Sequence, residues 1–122
     1  MQIVLVEDNP LMQQLFAIFL RGHGFEVTVA STGAAALAAP VAFPVLWLID
    51  LRLPDCDGFE LLQRLRARPE LRDCPAIALS GLGESDRRAA FAAGFNRFLT
   101  KPADLDELLQ MIVELLDSGS TC

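Results

Sequence analysis

Val45 to Gly58 reads VLWLIDLRLPDCDG, and the first six of those residues decide the fold. Val45, Leu46, Trp47, Leu48 and Ile49 are apolar without a break, and Asp50 stands where the apolar character stops. A continuous run of large side chains, without alternation, fits a parallel strand covered on both faces. The turn chemistry that follows, Pro54, Asp55, Asp57 and Gly58, closes the run after a strand's length and argues against a helix. Asp50 is therefore expected at the carboxyl end of a central strand, where ligands of open α/β sheets bind.

Working back from that strand, Gln2 to Val6 is a short apolar run ending at Glu7 and Asp8, and Asn9 with Pro10 reads as a helix cap and first turn. Leu11, Leu15, Ile18 and Phe19 recur at helical spacing, and Gly22 to Gly24 offers a stop in which His23 is an exposed turn residue. Phe25 to Ala30 alternates Val27 and Val29 with polar residues, which suits a strand nearer an edge. Ser31 or Thr32 caps a short alanine-rich helix that ends before Pro40, and Val41 to Pro44 connects to the central strand.

Working forward, Gly58 to Arg68 carries Phe59, Leu61, Leu62 and Leu65 on one face of a third helix. Ala76 to Leu79 is a fourth strand ending on Ser80 and Gly81. A fourth helix is expected from near Ser85 to Ala93, and Arg97 to Thr100 is a fifth strand ending on Lys101 and Pro102. Asp104 and Glu107 form a capping box ahead of a last helix with an apolar stripe of Leu105, Leu108, Leu109, Ile112 and Leu116. Ser118 to Cys122 reads as a frayed tail. Strand then helix, five times over, implies an α/β fold: a parallel sheet with helices on both faces.

Composition bounds the function. The 122 residues suit one domain spanning 1–122, with its core at about 2–116. A formal net charge of -6 argues against direct nucleic-acid binding, which relies on a basic face. No apolar stretch is long enough to span a bilayer, and no basic segment precedes an apolar one at the N-terminus, so membrane insertion and secretion lose support. Cys56, Cys74 and Cys122 are odd in number and widely spaced, so neither a disulfide framework nor a zinc motif is legible, and a reduced, cytoplasmic setting is expected.

Four of the five strands end on polar groups that a parallel sheet gathers at one edge: Glu7 and Asp8, Asp50, Ser80 and Lys101. Three carboxylates so gathered repel one another unless a cation compensates. A hard, oxygen-seeking ion such as Mg²⁺ fits, since it needs only one or two direct carboxylates besides waters and phosphate oxygens. Lys101 offers a compact positive charge and Ser80 a hydroxyl, both suited to phosphoryl oxygens. The arrangement reads as a site for phosphoryl transfer to a carboxylate, with Asp50 as nucleophile.

Those motifs carry a resemblance to a known family. VEDNP, DLRLPDCDG, ALSG and LTKP stand in the order and at the spacing of response-regulator receiver domains of two-component phosphorelay signalling, and the resemblance covers Gln2 to Leu116. It implies a flavodoxin-like (βα)5 fold with five helices about a sheet of order 2-1-3-4-5. It implies that Asp50 accepts phosphate from a histidine kinase or histidine phosphotransfer protein, with Lys101 and Ser80 assisting. It further implies that Asp8, Asp50 and the backbone carbonyl of Arg52 bind Mg²⁺ directly while Glu7 acts through water. Ser80 and Phe98 are the implied switch residues, and Phe98 departs from the tyrosine many relatives carry. Helix four, strand five and helix five form the expected output face, toward a downstream protein that the sequence does not name. Bulky Leu82 is expected to shield the acyl phosphate.

Such a domain is not an enzyme beyond making and losing its own aspartyl phosphate. A phosphatase with an aspartyl nucleophile usually needs a second aspartate two residues on, where this chain has Arg52. A dinucleotide-binding domain needs a glycine-rich turn after the first strand, and EDNP is not one. A phosphate-independent interaction module on the receiver fold, and a receiver piece of a hybrid histidine kinase, stay open, as does the choice between monomer and weak dimer.

Overall fold

Each apolar run bounded by turn residues becomes a strand, and each amphipathic run after it a helix. The computed structural model describes residues 1–119 and 122. It places β1 at Gln2–Val6, α1 at Pro10–Gly22, β2 at Glu26–Ala30, α2 at Gly33–Ala38, β3 at Val45–Asp50 and α3 at Gly58–Arg66. A 3-10 turn at Pro69–Leu71 leads to β4 at Ala76–Ser80, α4 at Glu84–Ala93, β5 at Arg97–Thr100 and α5 at Leu105–Asp117. The strands form one parallel sheet in the order β2-β1-β3-β4-β5. The fold expected from the alternation and the resemblance is the fold observed.

Alternate residues of each strand serve opposite faces. Ile3 and Leu5 of β1, Leu46 and Leu48 of β3, and Ile77 and Leu79 of β4 pack against Phe16 and Leu20 of α1 and Leu108, Ile112 and Leu115 of α5. Val4, Val6, Trp47, Ile49, Ala76 and Ala78 meet Ala36 of α2, Leu61, Leu62 and Leu65 of α3, and Ala90 of α4. β1 and β3 are buried at every position, which is why they read as unbroken apolar runs. β2 lies at the edge, as expected, but its burial does not follow the alternation of its sequence: Val27 and Thr28 are both half-buried, Val29 is exposed and only Ala30 is buried.

Local chemistry sets the helix ends. Asn9 accepts from the Leu11 and Met12 amides ahead of Pro10, Thr32 from Ala35, Asp57 from Glu60, and Asp104 from Asp106 and Glu107. Gly94, at a φ of 107°, ends α4 in the left-handed region that favours glycine. Helix α4 begins at Glu84, one residue before the expected Ser85, because Gly83 at a φ of 59° turns the chain into it.

Three expectations are corrected. Helix α1 carries two apolar stripes, and the sheet takes the one made by Met12, Phe16 and Leu20, leaving Leu11 74% and Ile18 72% exposed. Helix α5 buries Leu115 in addition to Leu108 and Ile112. Cys74 and Cys122 form a disulfide across a sequence separation of 48, and the Cys122 Sγ lies 3.6 Å from the Val45 carbonyl. The end of the chain is thus fastened to the amino edge of the sheet rather than frayed, although Ser120 and Thr121 of that tail lie outside the described residues. Cysteine usage therefore gives no support to a reducing setting.

Candidate functional site

Strand register brings the polar strand ends together. Val6 is level with Ile49, and Asp50 with Leu79, so Glu7 and Asp50 emerge side by side at the carboxyl edge. Ser80 is level with Thr100, which puts Lys101 one step beyond it, and the Lys101 amide donates to the Ser80 carbonyl at 2.7 Å. Glu7 is fully buried and Asp50 is 5% exposed, whereas Asp8, at the mouth, is open to solvent.

Lys101 reaches back over this edge. Its Nζ donates to Glu7 Oε1 at 2.8 Å and to Asp50 Oδ2 at 2.7 Å, while Asp50 Oδ1 accepts the Arg52 amide at 3.0 Å. Burial pushes the Glu7 carboxyl above its ordinary 4.5; the Lys101 hydrogen bond pulls it back, and nearby Asp50 adds to the rise. Burial alone would lower Lys101, but its bonds to Asp50 and Glu7 outweigh that and hold it above 10.5. The ammonium is therefore a fixed charge at neutral pH, one cation against three carboxylates.

That imbalance leaves room for a second cation. Glu7, Asp8 and Asp50 each present an oxygen, all within 4.8 Å of one another, and together they can hold a metal ion. The donor set is all carboxylate oxygen, which suits a hard ion better than a soft one.

The loop that follows Asp50 is held close beneath it. Gly58 donates to the Leu51 carbonyl at 3.0 Å, and a Cβ at Gly58 would come within 2.7 Å of the Asp50 carbonyl oxygen. Only glycine permits that approach. Asp55 accepts the Gly33 and Ala34 amides at 2.8 and 3.0 Å, which joins the loop to the start of α2 and holds its carboxyl below the usual range.

Ser80 is buried but does not face an empty pocket. Its hydroxyl donates to Asp86 Oδ2 at 2.6 Å and accepts the Leu82 amide at 3.0 Å. Arg52 Nη2 donates to both oxygens of the same Asp86 carboxylate at 3.0 and 3.1 Å. Asp86 is the site-bordering residue that sequence reasoning missed. It reads as an ordinary acidic residue in the first turn of a helix, and only the fold reveals its burial. Phe98 is 3% exposed, packed in the core beneath α3 and α4, while Leu82 stands 58% exposed beside the site.

A parallel sheet of this order, with an acidic cluster and a lysine at its carboxyl edge, defines a class of phosphorelay signalling domains. A family model for the response regulator receiver domain matches residues 3–113, and the chain belongs to that family. An uncharacterised 14.6 kDa protein of the sodA1 3' region in Leptolyngbya boryana is 40% identical over 114 residues, covering 92% of this chain and 87% of that one. The DNA-binding dual master transcriptional regulator RpaA of Synechocystis sp. is 36% identical over 117 residues, covering 94% of this chain but 48% of the regulator. The chain thus spans most of the first relative's length and about half of the second's. A solved receiver domain of a Pseudomonas aeruginosa sensor histidine kinase, with a magnesium ion coordinated in its active-site cleft, superposes with a TM-score of 0.79 at 34% identity, covering 90% of this chain and 92% of that one. Receiver domains act with histidine kinases or phosphotransfer proteins. No helix among the described residues is long and apolar enough to cross a membrane.

Proposed function

We propose that this chain is a single phospho-accepting receiver domain, modified on Asp50 by a histidine kinase or histidine phosphotransfer protein. The observation that carries the reading is the buried Asp50 carboxylate gripped by Lys101 and the Arg52 amide, with Glu7 and Asp8 beside it. An Asp50 oxygen attacks the phosphorus of the phosphohistidine. The P–N bond breaks, its electron pair returns to the imidazole, and the ring takes up a proton from solvent. Lys101 then exchanges its bond to Asp50 for one to a phosphoryl oxygen, and Ser80 becomes a donor to another. Asp8, Asp50 and the backbone carbonyl of Arg52 would hold Mg²⁺, with Glu7 acting through water, and the ion would supply neutralising charge when bound.

The phosphoryl group changes which contacts are favourable for Ser80 and Lys101, and only such a difference shifts a two-state population. Both residues adjoin α4 and β5, so α4, β5 and α5 form the output face toward a downstream protein. Ser80 and Phe98 are the switch residues of this reading, Phe98 being packed inside the core. The domain turns over no substrate besides its own aspartyl phosphate, and its kinase partner fits a cytoplasmic setting. Intact mass after incubation with Mg²⁺ and acetyl phosphate tests the reading. One added phosphoryl group, lost in Asp50→Asn and abolished by chelator, is expected; no gain in the parent chain would refute it.

A further inference from the structure

We infer that Asp86 is a positioning residue that sequesters the Ser80 hydroxyl in the unphosphorylated domain, so that phosphoryl binding at Asp50 must compete with Asp86 for that hydroxyl. The inference rests on the phospho-acceptor reading of Asp50.

A serine hydroxyl has one proton to donate. Here that proton is spent on Asp86 Oδ2 at 2.6 Å, a charge-assisted bond, and a lone pair takes the Leu82 amide. Ser80 is 1% exposed, so the hydroxyl is closed off from bulk water. In this state the hydroxyl has nothing left to offer a phosphoryl oxygen.

Asp86 is itself held in place. It is 7% exposed, a costly place for a carboxylate without a partner, and the Arg52 guanidinium supplies that partner through both oxygens. Arg52 comes from the loop that follows Asp50, Ser80 ends β4, and Asp86 lies in the first turn of α4. One carboxylate therefore ties the acceptor loop, a strand end and the α4 amino terminus together. When Ser80 turns toward a phosphoryl oxygen, the fork from Arg52 keeps Asp86 compensated, so the hydroxyl can leave without stranding a buried charge. Asp86, in the first turn of α4, loses one of its three side-chain hydrogen bonds, and the change at Asp50 is felt in the helix.

The test uses beryllium fluoride with Mg²⁺ as a mimic of the aspartyl phosphate, followed by ¹H–¹⁵N spectra of the intact chain. The Leu82 amide reports the Ser80 hydroxyl directly, because it donates to that oxygen. In Asp86→Ala the Leu82 amide is expected to shift before any ligand is added, and the mimic is expected to bind about tenfold more tightly, the equivalent of about 1.4 kcal/mol. Asp86→Asn keeps the shape and weakens the acceptor, so it gives a smaller gain; it carries the test if the alanine variant melts too low. In a Ser80→Ala background the Asp86 substitutions are expected to give no gain. Parent and variants binding alike would overturn the sequestration, as would a gain that persists without the Ser80 hydroxyl. A parent chain that fails to bind the mimic at all would instead overturn the phospho-acceptor reading and the inference with it.

Discussion

Lys101 decides the electrostatics of the site, because among the described residues it is the cation bonded to both Glu7 and Asp50. Its folded value lies above 10.5, so its stabilising contribution is complete at neutral pH and is lost only as pH rises through that raised value. Lys101→Met strands the two carboxylates and is expected to cost about 3 kcal/mol at pH 7, read by urea denaturation. Glu7 has a linkage of the same sign, placed at acid pH. Its folded carboxyl titrates above 4.5, so between the unfolded and folded values the native state holds the extra proton and stability falls as pH rises. The Lys101→Met penalty should therefore shrink on acidification through that window, and Glu7→Gln should remove this dependence. Unchanged pH profiles in Glu7→Gln would contradict the burial argument. Gly58 is a second test at this scale: Gly58→Ala drives a methyl into the Asp50 carbonyl and is expected to lower the melting temperature and slow phosphorylation together.

Among the elements, α1 shows where pattern reading stops. Leu11, Leu15 and Ile18 have helical spacing as good as that of Met12, Phe16 and Leu20, and the sheet buries only the second set. Phe16→Ala is expected to cost about 3 to 5 kcal/mol through the cavity it leaves, whereas Ile18→Ala should stay within about 0.5 kcal/mol. Equal losses in denaturant melts would mean that the helix sits on its other face. Helix α3 is anchored differently. The Arg66 guanidinium donates to the carbonyls of Gly94 and Cys74 and to Asn96 Oδ1, and Asn96 in turn accepts the Ala76 amide, so one side chain joins α3 to the turns that lead into β4 and β5. Desolvation lowers the Arg66 pKa, which follows from placing a guanidinium between packed elements.

At the scale of the molecule, the disulfide closes a long stretch of chain. Cys74 and Cys122 are 48 residues apart, and constraining a loop of that length in the unfolded state is worth about 4 kcal/mol in the chain-entropy picture. Cys122→Ser is expected to lower the melting temperature under oxidising conditions and to leave it unchanged in the presence of reductant. A melting curve insensitive to both would show that the bond contributes nothing in solution. The bond lies at the amino edge of the sheet, beside the start of β3, and the proposed phosphoryl site at the carboxyl edge, so the proposed phosphorylation on Asp50 should be indifferent to the same substitution.

Taken alone, the sequence determined the α/β class, the order of its elements and the group of Glu7, Asp8, Asp50, Ser80 and Lys101 at strand ends. It could do so because apolar runs, caps and turn residues act over a few neighbours, and a parallel sheet then sends every strand end to one edge. Tertiary structure alone decided which stripe of α1 is buried, that Cys122 meets Cys74, and that the Ser80 hydroxyl donates to Asp86. Each of these depends on which parts of the chain are brought near one another by packing, and periodicity along the chain does not encode that distance.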